Sequence, residues 1–469
     1  MKKILYIIFV SFLLQSSALA LDVVYPTSTY AKINSPTTFF VGAVKYGNKL
    51  FINDEPIDIH RTGAFAKQVQ LKTGRNEFTL LSDGEVKTYI IERPIPCKCY
   101  RQASYKPFAI PLTVEIARNG APIRSTAVQS GINRISHFQK GMDLNAIGEL
   151  GDMYKIELAS NQFAWVAKSD VKVKPTPYHR AFLFDYRSRE TVDEYIYEFA
   201  MSKKTPYSIT EGDIMTLKIF NVGANDDNTA VFKITLNQRL MGYDLKYKGS
   251  TLVLSIKKEP KTSRKQPLKD VKIVVDAGHG GKELGAISCC RNHEKDFNLS
   301  ISKYLEKELK KLGANVYMTR YTDKYMSLND RVKYTNEKNA QIFVSIHANS
   351  LPDSKNPQKH RGSSIYYYYD EAKPLSDSIL NSVARSMNVN IEGVRQASFA
   401  VVRNTSAVSV LVETAYVINP YDNELLMSDN FRQGYAKAIA DGIKDYVWQN
   451  KTRTSWNSRH HRIKFEKIS

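Results

Sequence analysis

Apolar runs of strand length alternate with amphipathic stretches over roughly the last two fifths of the chain, and this alternation constrains the fold most. The runs that predict strands cover 271–275, 316–318, 342–346, 365–368 and 408–412. The stretches with helical spacing or a helix-start signal cover 297–312, 327–330, 374–387 and 430–448. Because strands joined through helices pair in parallel, residues 266–449 are predicted to form an α/β domain with a mostly parallel sheet.

The residues before this domain are predicted to form all-β modules. Alternating strands separated by frequent turns predict a small β-sandwich over 21–94, which resembles the immunoglobulin-like modules of secreted hydrolases. Residues 178–258 alternate in the same way and predict a further β-rich domain. The stretch 257–269 is rich in Lys, Pro and Ser, which indicates a linker. We therefore expect a multidomain chain with the α/β domain near its carboxyl end.

Residues 112–174 carry a more specific pattern. Four short segments follow one another at 121–125, 138–141, 152–156 and 163–166. Their order resembles that of a bacterial SH3 domain, a small β-barrel, although Ile123, Met153 and Ala164 stand where that family usually has Asn, Trp and Gly. The resemblance implies a barrel that serves either as a ligand-binding module or as a rigid spacer, and the sequence leaves both roles open.

The amino terminus has the layout of an export signal. Lys2 and Lys3 precede the apolar run 4–14, and small residues at 16–20 form a cleavage site of the A-x-A type. We expect 1–20 to be a signal peptide and the mature chain to begin near Leu21, with a short membrane anchor as the alternative. No later apolar run reaches the length of about 18 residues that a membrane-spanning helix needs. The mature chain is therefore expected in the periplasm, the cell envelope or the extracellular space, without a transmembrane span.

The charge of the chain favours an anionic partner. There are 67 Lys and Arg residues against 47 Asp and Glu, a net charge of +20, and loss of Lys2 and Lys3 leaves +18. An anionic polymer of the cell envelope suits a basic exported protein, whereas nucleic acid does not suit export. The basic tail, 450–469, is predicted to be disordered. The cysteines lack the spacing of zinc thiolate motifs and are expected to be structural or incidental; they are Cys97, Cys99, Cys289 and Cys290.

Reactive side chains stand at the ends of three predicted strands. His279, His347 and Glu413 each follow or end an apolar run, and Glu294 lies just before a helix. Because ligands bind at the carboxyl ends of strands in open α/β sheets, these side chains are expected to meet at one edge. Catalytic zinc uses three ligands from His, Asp and Glu and keeps a fourth position for water. His279, Glu294 and His347 can supply those ligands, and Glu413 can serve as a general base.

Four motifs in this region resemble those of the zinc-dependent N-acetylmuramoyl-L-alanine amidases of the Amidase_3 family, in the same order. They are D-A-G-H-G-G at 276–281, E-K-D at 294–296, S-I-H-A-N at 345–349 and V-E at 412–413. The resemblance implies that His279, Glu294 and His347 bind zinc and that Glu413 is catalytic. It also implies hydrolysis of the amide bond between N-acetylmuramic acid and L-alanine in peptidoglycan, for cell-wall remodelling or daughter-cell separation.

Alternatives stay open for both the residues and the function. His293, which is next to Glu294, could be the ligand in its place, and Asp276 or Glu283 could be the base. A zinc peptidase acting on the stem peptides would use the same activation of water. A wall-binding scaffold with an inactive domain, or a nucleic-acid binder suggested by charge alone, would need no reaction at all.

Other residues of the domain are expected to lie outside the site. His360 is predicted to be solvated in a polar loop, and the tyrosines at 366–369 to form a buried strand. Some relatives insert a long helical segment after the S-I-H-A-N strand, which plugs the zinc site until an activator removes it. Here only about fifteen residues separate Asn349 from Ser364, so no such plug is expected. The sequence leaves open whether a partner protein activates the chain.

Overall fold

The computed structural model describes residues 21–95, 103–223, 228–236, 238–449 and 464–467. The predicted signal peptide, 1–20, lies outside these residues, as do Cys97 and Cys99. Within the described ranges, no helix combines the length and the apolar character that crossing a membrane requires.

Two β-sheets form the first module. Its strands are β1 (Leu21–Tyr25), β2 (Tyr30–Lys32), β3 (Thr37–Val44), β4 (Leu50–Ile52), β5 (Glu55–Ile57), β6 (Ala64–Gln70), β7 (Gly74–Ser82) and β8 (Glu85–Arg93). One sheet has the strand order β1-β3-β6, and the other has β2-β8-β7-β4-β5. Side chains from both sheets meet in one core that includes Phe40, Leu80 and Ile91. The result is a two-sheet packing of the kind that the alternating pattern predicts.

A seven-stranded sheet follows. Its strands are β9 (Lys106–Ile116), β10 (Ala121–Arg124), β11 (Arg134–Phe138), β12 (Asp143–Leu150), β13 (Met153–Ala159), β14 (Gln162–Ala167) and β15 (Val171–Lys174). The strand order is β11-β10-β14-β13-β12-β9-β15. Each pairing is antiparallel, so the region is β-rich as predicted. Its likeness to an SH3 domain stays a prediction.

The next β-rich stretch packs against that sheet. Its strands are β16 (Leu183–Glu190), β17 (Glu194–Met201), β18 (Tyr207–Thr210), β19 (Ile214–Phe220), β20 (Thr229–Thr235), β21 (Tyr243–Lys248) and β22 (Thr251–Lys257). One sheet has the order β16-β17-β22-β21, and β18, β19 and β20 are neighbours in a second. Phe138 of the preceding sheet and Tyr207 lie with ring centroids 5.9 Å apart. These two β-rich regions therefore share one apolar core.

An α/β domain follows. Its elements are β23 (Lys272–Ala277), α1 (Glu294–Lys311), β24 (Asn315–Met318), α2 (Leu328–Glu337), β25 (Ile342–Asn349), β26 (Ser363–Tyr367), α3 (Lys373–Ser386), β27 (Ile391–Gln396), β28 (Val408–Tyr416), α4 (Pro420–Met427) and α5 (Asp429–Gln449). The strand order is β24-β23-β25-β28-β26-β27. All neighbours are parallel except β26, which runs antiparallel to β28. The central strands β23, β25 and β28 are apolar because both faces of the sheet are covered. One face packs with α1, α3 and α5 in the main core, and the other face contributes Val274, Phe343 and Leu411 to a second, smaller core.

The predicted elements of this domain are present, one helix begins earlier than predicted, and two further elements were not predicted. The first helix begins at Glu294 rather than near 297, because His293 in extended conformation already forms the amino-terminal cap. Strand β27 and helix α4 were not predicted; β27 is a partly exposed edge strand without an apolar run, and α4 is short. Ser327 caps α2 as predicted, since its hydroxyl accepts a hydrogen bond from Asp330 N at 3.2 Å.

The prediction of a disordered tail is wrong for four residues. Strand β29 (Lys464–Lys467) pairs antiparallel with β20 and becomes the fourth strand of the sheet that contains β18, β19 and β20. The physical reason is that β20 would otherwise leave an open row of backbone donors and acceptors at the sheet edge. The rest of the tail lies outside the described residues.

Candidate metal centre

The three predicted ligands lie together at one edge of the central sheet. His279 follows β23, Glu294 is the first residue of α1, and His347 is near the end of β25. Each offers one donor atom, and these atoms lie within 4.8 Å of one another. Among the described residues, no other group of three such side chains is arranged in this way. Parallel pairing of β23 with β25 brings the two histidines to the same edge.

Glu294 lies between the two imidazoles. Its Oε2 atom is 3.2 Å from His279 Nε2, and its Oε1 atom is 2.8 Å from His347 Nδ1. Burial on its own would raise the pKa of Glu294, but the contacts with both histidines outweigh burial and hold that pKa below its usual value. Burial on its own would lower the pKa of His347, because it disfavours the charged imidazolium, but the hydrogen bond with Glu294 outweighs burial and the pKa of His347 is raised. The centre therefore combines a buried carboxylate with two partly exposed imidazoles.

Two glycines leave the space that this arrangement needs. A Cβ atom on Gly278 would lie 2.3 Å from His347 Nε2, and one on Gly285 would lie 2.5 Å from Glu294 Oε2. Any larger residue would push a donor side chain out of place. Gly285 also has a φ of +71°, which disfavours other residues. The sequence pattern indicated the glycines around His279, whereas Gly285 stands outside that pattern.

Asp276 is an anchor for the site rather than a free carboxylate. It is buried and accepts hydrogen bonds from Thr319 Oγ1 and Ser345 Oγ, both at 2.7 Å, and from the Arg331 guanidinium. Arg331 also donates to the backbone oxygens of Ala277 and His279, both at 2.9 Å. The paired Asp276 thus holds the backbone of the His279 segment, and the alternative of Asp276 as a base is not supported by these contacts.

Arg320 joins the His279 segment to the start of α1. Its guanidinium donates to the backbone oxygens of Ala277 and Gly278, both at 2.9 Å, and to that of Lys295 at 2.7 Å. Because Lys295 directly follows Glu294, one side chain fixes the relative positions of two predicted ligands. Sequence reasoning missed both Arg320 and Arg331. The one available signal concerned Arg320, which forms a polar pair with Thr319 directly after an apolar strand.

Glu413 lies beside the cluster. It is in β28, in register with His347 on the neighbouring parallel strand. Burial raises the pKa of Glu413 to about 7, the charge of His347 opposes that rise and the charge of Glu294 adds to it. Within the described part of the chain, no hydrogen-bond donor reaches the buried Oε2 atom of Glu413. A buried carboxyl oxygen without a partner is uncommon, which indicates a group that binds at this place.

The other candidates lie outside the cluster. His293 caps α1, and its Nδ1 atom is 3.7 Å from Asp296 Oδ2. Glu283 is exposed. His360 lies in a loop as predicted; its side chain is partly exposed, and its Nδ1 atom lies 3.4 Å from Glu392 Oε1. The tyrosines at 366–369 are buried or partly buried; Tyr366 and Tyr367 lie in the predicted strand, which is β26, and that strand ends before Tyr368.

The donors fit a zinc ion. Two imidazole nitrogens and one carboxylate are a known donor set of catalytic zinc sites, which keep a further position for water. The unpartnered oxygen of Glu413 stands next to these donors, where a water molecule beside the ion would be expected. The fit rests on the chemistry of the donors and on this unpartnered atom.

Comparison with known proteins places the cluster within a matched region. Residues 273–445 match the family model described as N-acetylmuramoyl-L-alanine amidase, Amidase_3. The "Probable cell wall amidase LytH" of Staphylococcus epidermidis is 38% identical over 182 residues, which are 38% of this chain and 60% of that protein. The protein of the same name from Staphylococcus saprophyticus is 36% identical over 188 residues, 40% of this chain and 62% of that protein.

These matches cover about three fifths of the length of the curated relatives. A solved structure, "N-acetylmuramoyl-L-alanine amidase AmiC2 of Nostoc punctiforme", is 36% identical, covers 38% of this chain and 98% of that chain, and has a TM-score of 0.37. The matched residues 273–445 contain all three clustered donors and Glu413. The carboxyl-terminal part of the chain, residues 273–445, is therefore similar to the N-acetylmuramoyl-L-alanine amidase family.

Proposed function

We propose that the chain is an exported zinc-dependent amidase that hydrolyses the amide bond between N-acetylmuramic acid and L-alanine in peptidoglycan. The observation that carries this proposal is the cluster of His279, Glu294 and His347 with Glu413 beside it, inside a domain of the amidase family. A zinc peptidase would need the same donors, and the family of the domain favours the amidase.

His279, Glu294 and His347 would hold the zinc ion. When bound, the ion would act as a Lewis acid and lower the pKa of a water molecule held beside it to about 7. Glu294 suits its part because the two imidazoles keep its carboxylate deprotonated, and only a deprotonated carboxylate binds a metal well. Arg320 and Arg331 hold the backbone on which these side chains stand.

Glu413 would move the proton. Its unpartnered oxygen accepts a proton from water as the water oxygen attacks the lactyl carbonyl carbon. The carbon–nitrogen bond then breaks, and the proton passes from Glu413 to the departing nitrogen of L-alanine. The products are a free carboxyl group on the lactyl side chain and a free amino group on the peptide.

The substrate is a polymer of the cell envelope, and the upstream modules would hold the enzyme on it. The mature net charge of +18 favours an anionic envelope polymer as an additional partner and does not by itself indicate nucleic acid. Residues 350–362, between β25 and β26, contain no helix, so no inserted plug needs to leave the site.

The experiment that tests this proposal measures zinc content and turnover on the same samples. Glu413→Gln keeps the shape of the side chain and removes its basicity, so we expect a folded protein with full zinc and turnover lower by about 10²–10⁴. His347→Ala removes a ligand, so it should lose zinc and activity together. Glu392→Gln is the matched control, because Glu392 lies in the same domain but bonds Tyr416 and Arg395 instead.

Mass spectrometry of the digested wall distinguishes the reactions. Free stem peptides that begin with L-alanine, together with peptide-free glycan, indicate the amidase. Cleavage within the stems would mean that the chain is a peptidase, and near-normal turnover of Glu413→Gln would exclude Glu413 as the base.

A further inference from the structure

The first module, residues 21–93, contacts the α/β domain at three segments, and two of them adjoin a predicted ligand. Arg291 comes three residues before Glu294, and Asp353 comes six residues after His347. Glu424 is more distant in sequence and lies in α4, the helix that follows the strand that carries Glu413. Within the described residues, the polar contacts between this module and the α/β domain all fall on these three segments.

The first contact fixes the turn that leads into α1. Asp22 accepts two hydrogen bonds from the Arg291 guanidinium, from Nε and from Nη2, each at 2.6 Å. The turn itself is closed by hydrogen bonds from Arg291 N to Ser288 O and from Ser288 N to Asn292 O. A two-point contact of this kind restrains orientation as well as distance. Asp22 therefore restrains a rigid turn whose chain continues directly into Glu294.

The second contact fixes the loop after β25. Asp353 Oδ1 accepts hydrogen bonds from Tyr25 Oη and Thr38 Oγ1, both at 2.6 Å. The Thr37 hydroxyl donates to the backbone oxygen of Asp353 at 3.0 Å. Burial and the neighbouring Asp353 carboxylate raise the pKa of Tyr25, so its hydroxyl stays protonated and remains a donor. One acidic residue of the α/β domain thus receives three donors from the first module.

The third contact lies on α4. Glu424 pairs with the Arg61 guanidinium, Oε1 to Nη2 at 2.8 Å and Oε2 to Nε at 3.1 Å. The His60 ring lies edge-on to the Tyr421 ring with centroids 4.5 Å apart. Arg61 is largely exposed, so its ion pair is the weakest of the three contacts.

Apolar packing supports these polar contacts. Four buried side chains of the first module belong to the core of the α/β domain rather than to their own core, namely Phe39, Val41, Ala64 and Ala66. Tyr25 packs on Phe39 with ring centroids 4.9 Å apart. The two regions therefore form a continuous dry contact, and the polar contacts lie next to it.

We propose that the first module is a positioning element for the metal centre. It acts through two contacts with the α/β domain, one at Asp353 and the other in the Asp22–Arg291 pair, and these are the positioning residues. This inference rests on the proposed function. The module touches no donor atom; it acts by holding the segments that carry Glu294 and His347. Zinc–ligand distances in well-formed sites lie within about 0.2 Å of standard values, so restraint of those segments should strengthen zinc binding.

The experiment uses the full mature chain and three measurements: the zinc dissociation constant by chelator competition, kcat and KM on purified wall, and the melting temperature. Asp353→Ala should weaken zinc binding about fivefold or more, a typical coupling between two sites. Asp22→Arg should weaken it about two- to fivefold, and the charge swap of Asp22→Arg with Arg291→Asp should restore it. We expect the variants loaded with excess zinc to recover kcat, with KM unchanged.

Arg385→Gln is the matched control. It breaks an exposed contact between α3 and α5, Arg385 Nη2 to Asp445 Oδ2 at 3.0 Å, and should leave zinc affinity unchanged. If Asp22→Arg folds poorly, Arg61→Gln is a milder variant. It breaks the contact with Glu424 on α4, and its zinc affinity is measured in the same way. Lower melting temperatures with unchanged zinc affinity in every variant would mean that the module is merely docked, which overturns the inference. Failure of the proposed function is distinct, because the unaltered chain itself would then bind no zinc or would cleave within the stem peptides.

Discussion

Gly278→Ala is expected to disable the proposed metal centre with little effect on the rest of the fold. Gly278 has no left-handed φ, so its backbone accepts alanine without strain. The added methyl carbon would lie 2.3 Å from Nε2 and 2.4 Å from Cε1 of His347. Since ordinary contact begins near 3.4 Å, the His347 ring would have to retreat by about 1 Å.

The ring has little room for such a shift. His347 stands in β25, a central strand that pairs with β23 and β28 on either side. Its Nδ1 atom lies 2.8 Å from Glu294, and its ring centroid lies 4.9 Å from that of His279. A movement of about 1 Å is several times larger than the spread of about 0.2 Å in zinc–ligand distances of well-formed sites. We therefore expect zinc affinity to fall at least about 10- to 100-fold, the loss seen when the support of a ligand is removed.

The assay is chelator competition for zinc, with circular dichroism to check the fold and turnover on purified wall. Gly434→Ala serves as the control in the same domain, because a Cβ there would lie 3.2 Å from the flexible thioether of Met387 and would meet no donor side chain within 4 Å. Unchanged zinc affinity in Gly278→Ala would refute the reasoning. It would mean that the His347 ring can move freely, or that His347 is not a ligand.

Two further outcomes follow from burial and charge. Lys257 is buried, its ammonium donates a hydrogen bond to Ala340 O, and burial lowers the pKa of Lys257 to about 8. Because the unfolded chain keeps this proton between about pH 8 and 10.5 while the folded chain loses it, the free energy of unfolding should rise with pH across that window. Denaturant titrations should show a flatter rise for Lys257→Met. Retention of the mature chain on wall should weaken between about 0.1 M and 1 M salt, as the Debye length falls from about 10 to 3 Å; salt-independent retention in a pull-down would contradict an electrostatic role for the +18 charge.

The fold of the α/β domain was predictable because its central strands must be dry on both faces. The runs that became β23, β25 and β28 are apolar without alternation, which only a covered sheet explains. Strand β27 escaped prediction because it is a partly exposed edge strand with polar residues. Strand β29 escaped because pairing with β20 depends on an open sheet edge, a property of the folded neighbour that composition does not reveal.

The site was predictable for its donors and not for their supports. His279, Glu294 and His347 stand at strand or helix ends, and parallel topology alone brings such ends together. Arg320 and Arg331 act mainly on backbone oxygens of Ala277, Gly278, His279 and Lys295. A backbone oxygen looks the same at every residue, so no pattern of side chains could have indicated these partners.

The contacts of the first module raise the same difficulty at longer range. Asp22 and Arg291 are 269 positions apart, and Tyr25 and Asp353 are 328 apart, so neither pair follows from local spacing. The change of pattern near 266 separates two kinds of secondary structure, but the packing does not divide there, since Phe39 and Val41 lie in the core of the α/β domain. Truncation to residues 266–449 would therefore do more than remove any inhibition by the upstream modules. It would expose that apolar surface and leave Asp353 and Arg291 without their partners. If such a fragment lost activity, the first explanation would be the loss of these contacts, and a missing activator protein would be the second.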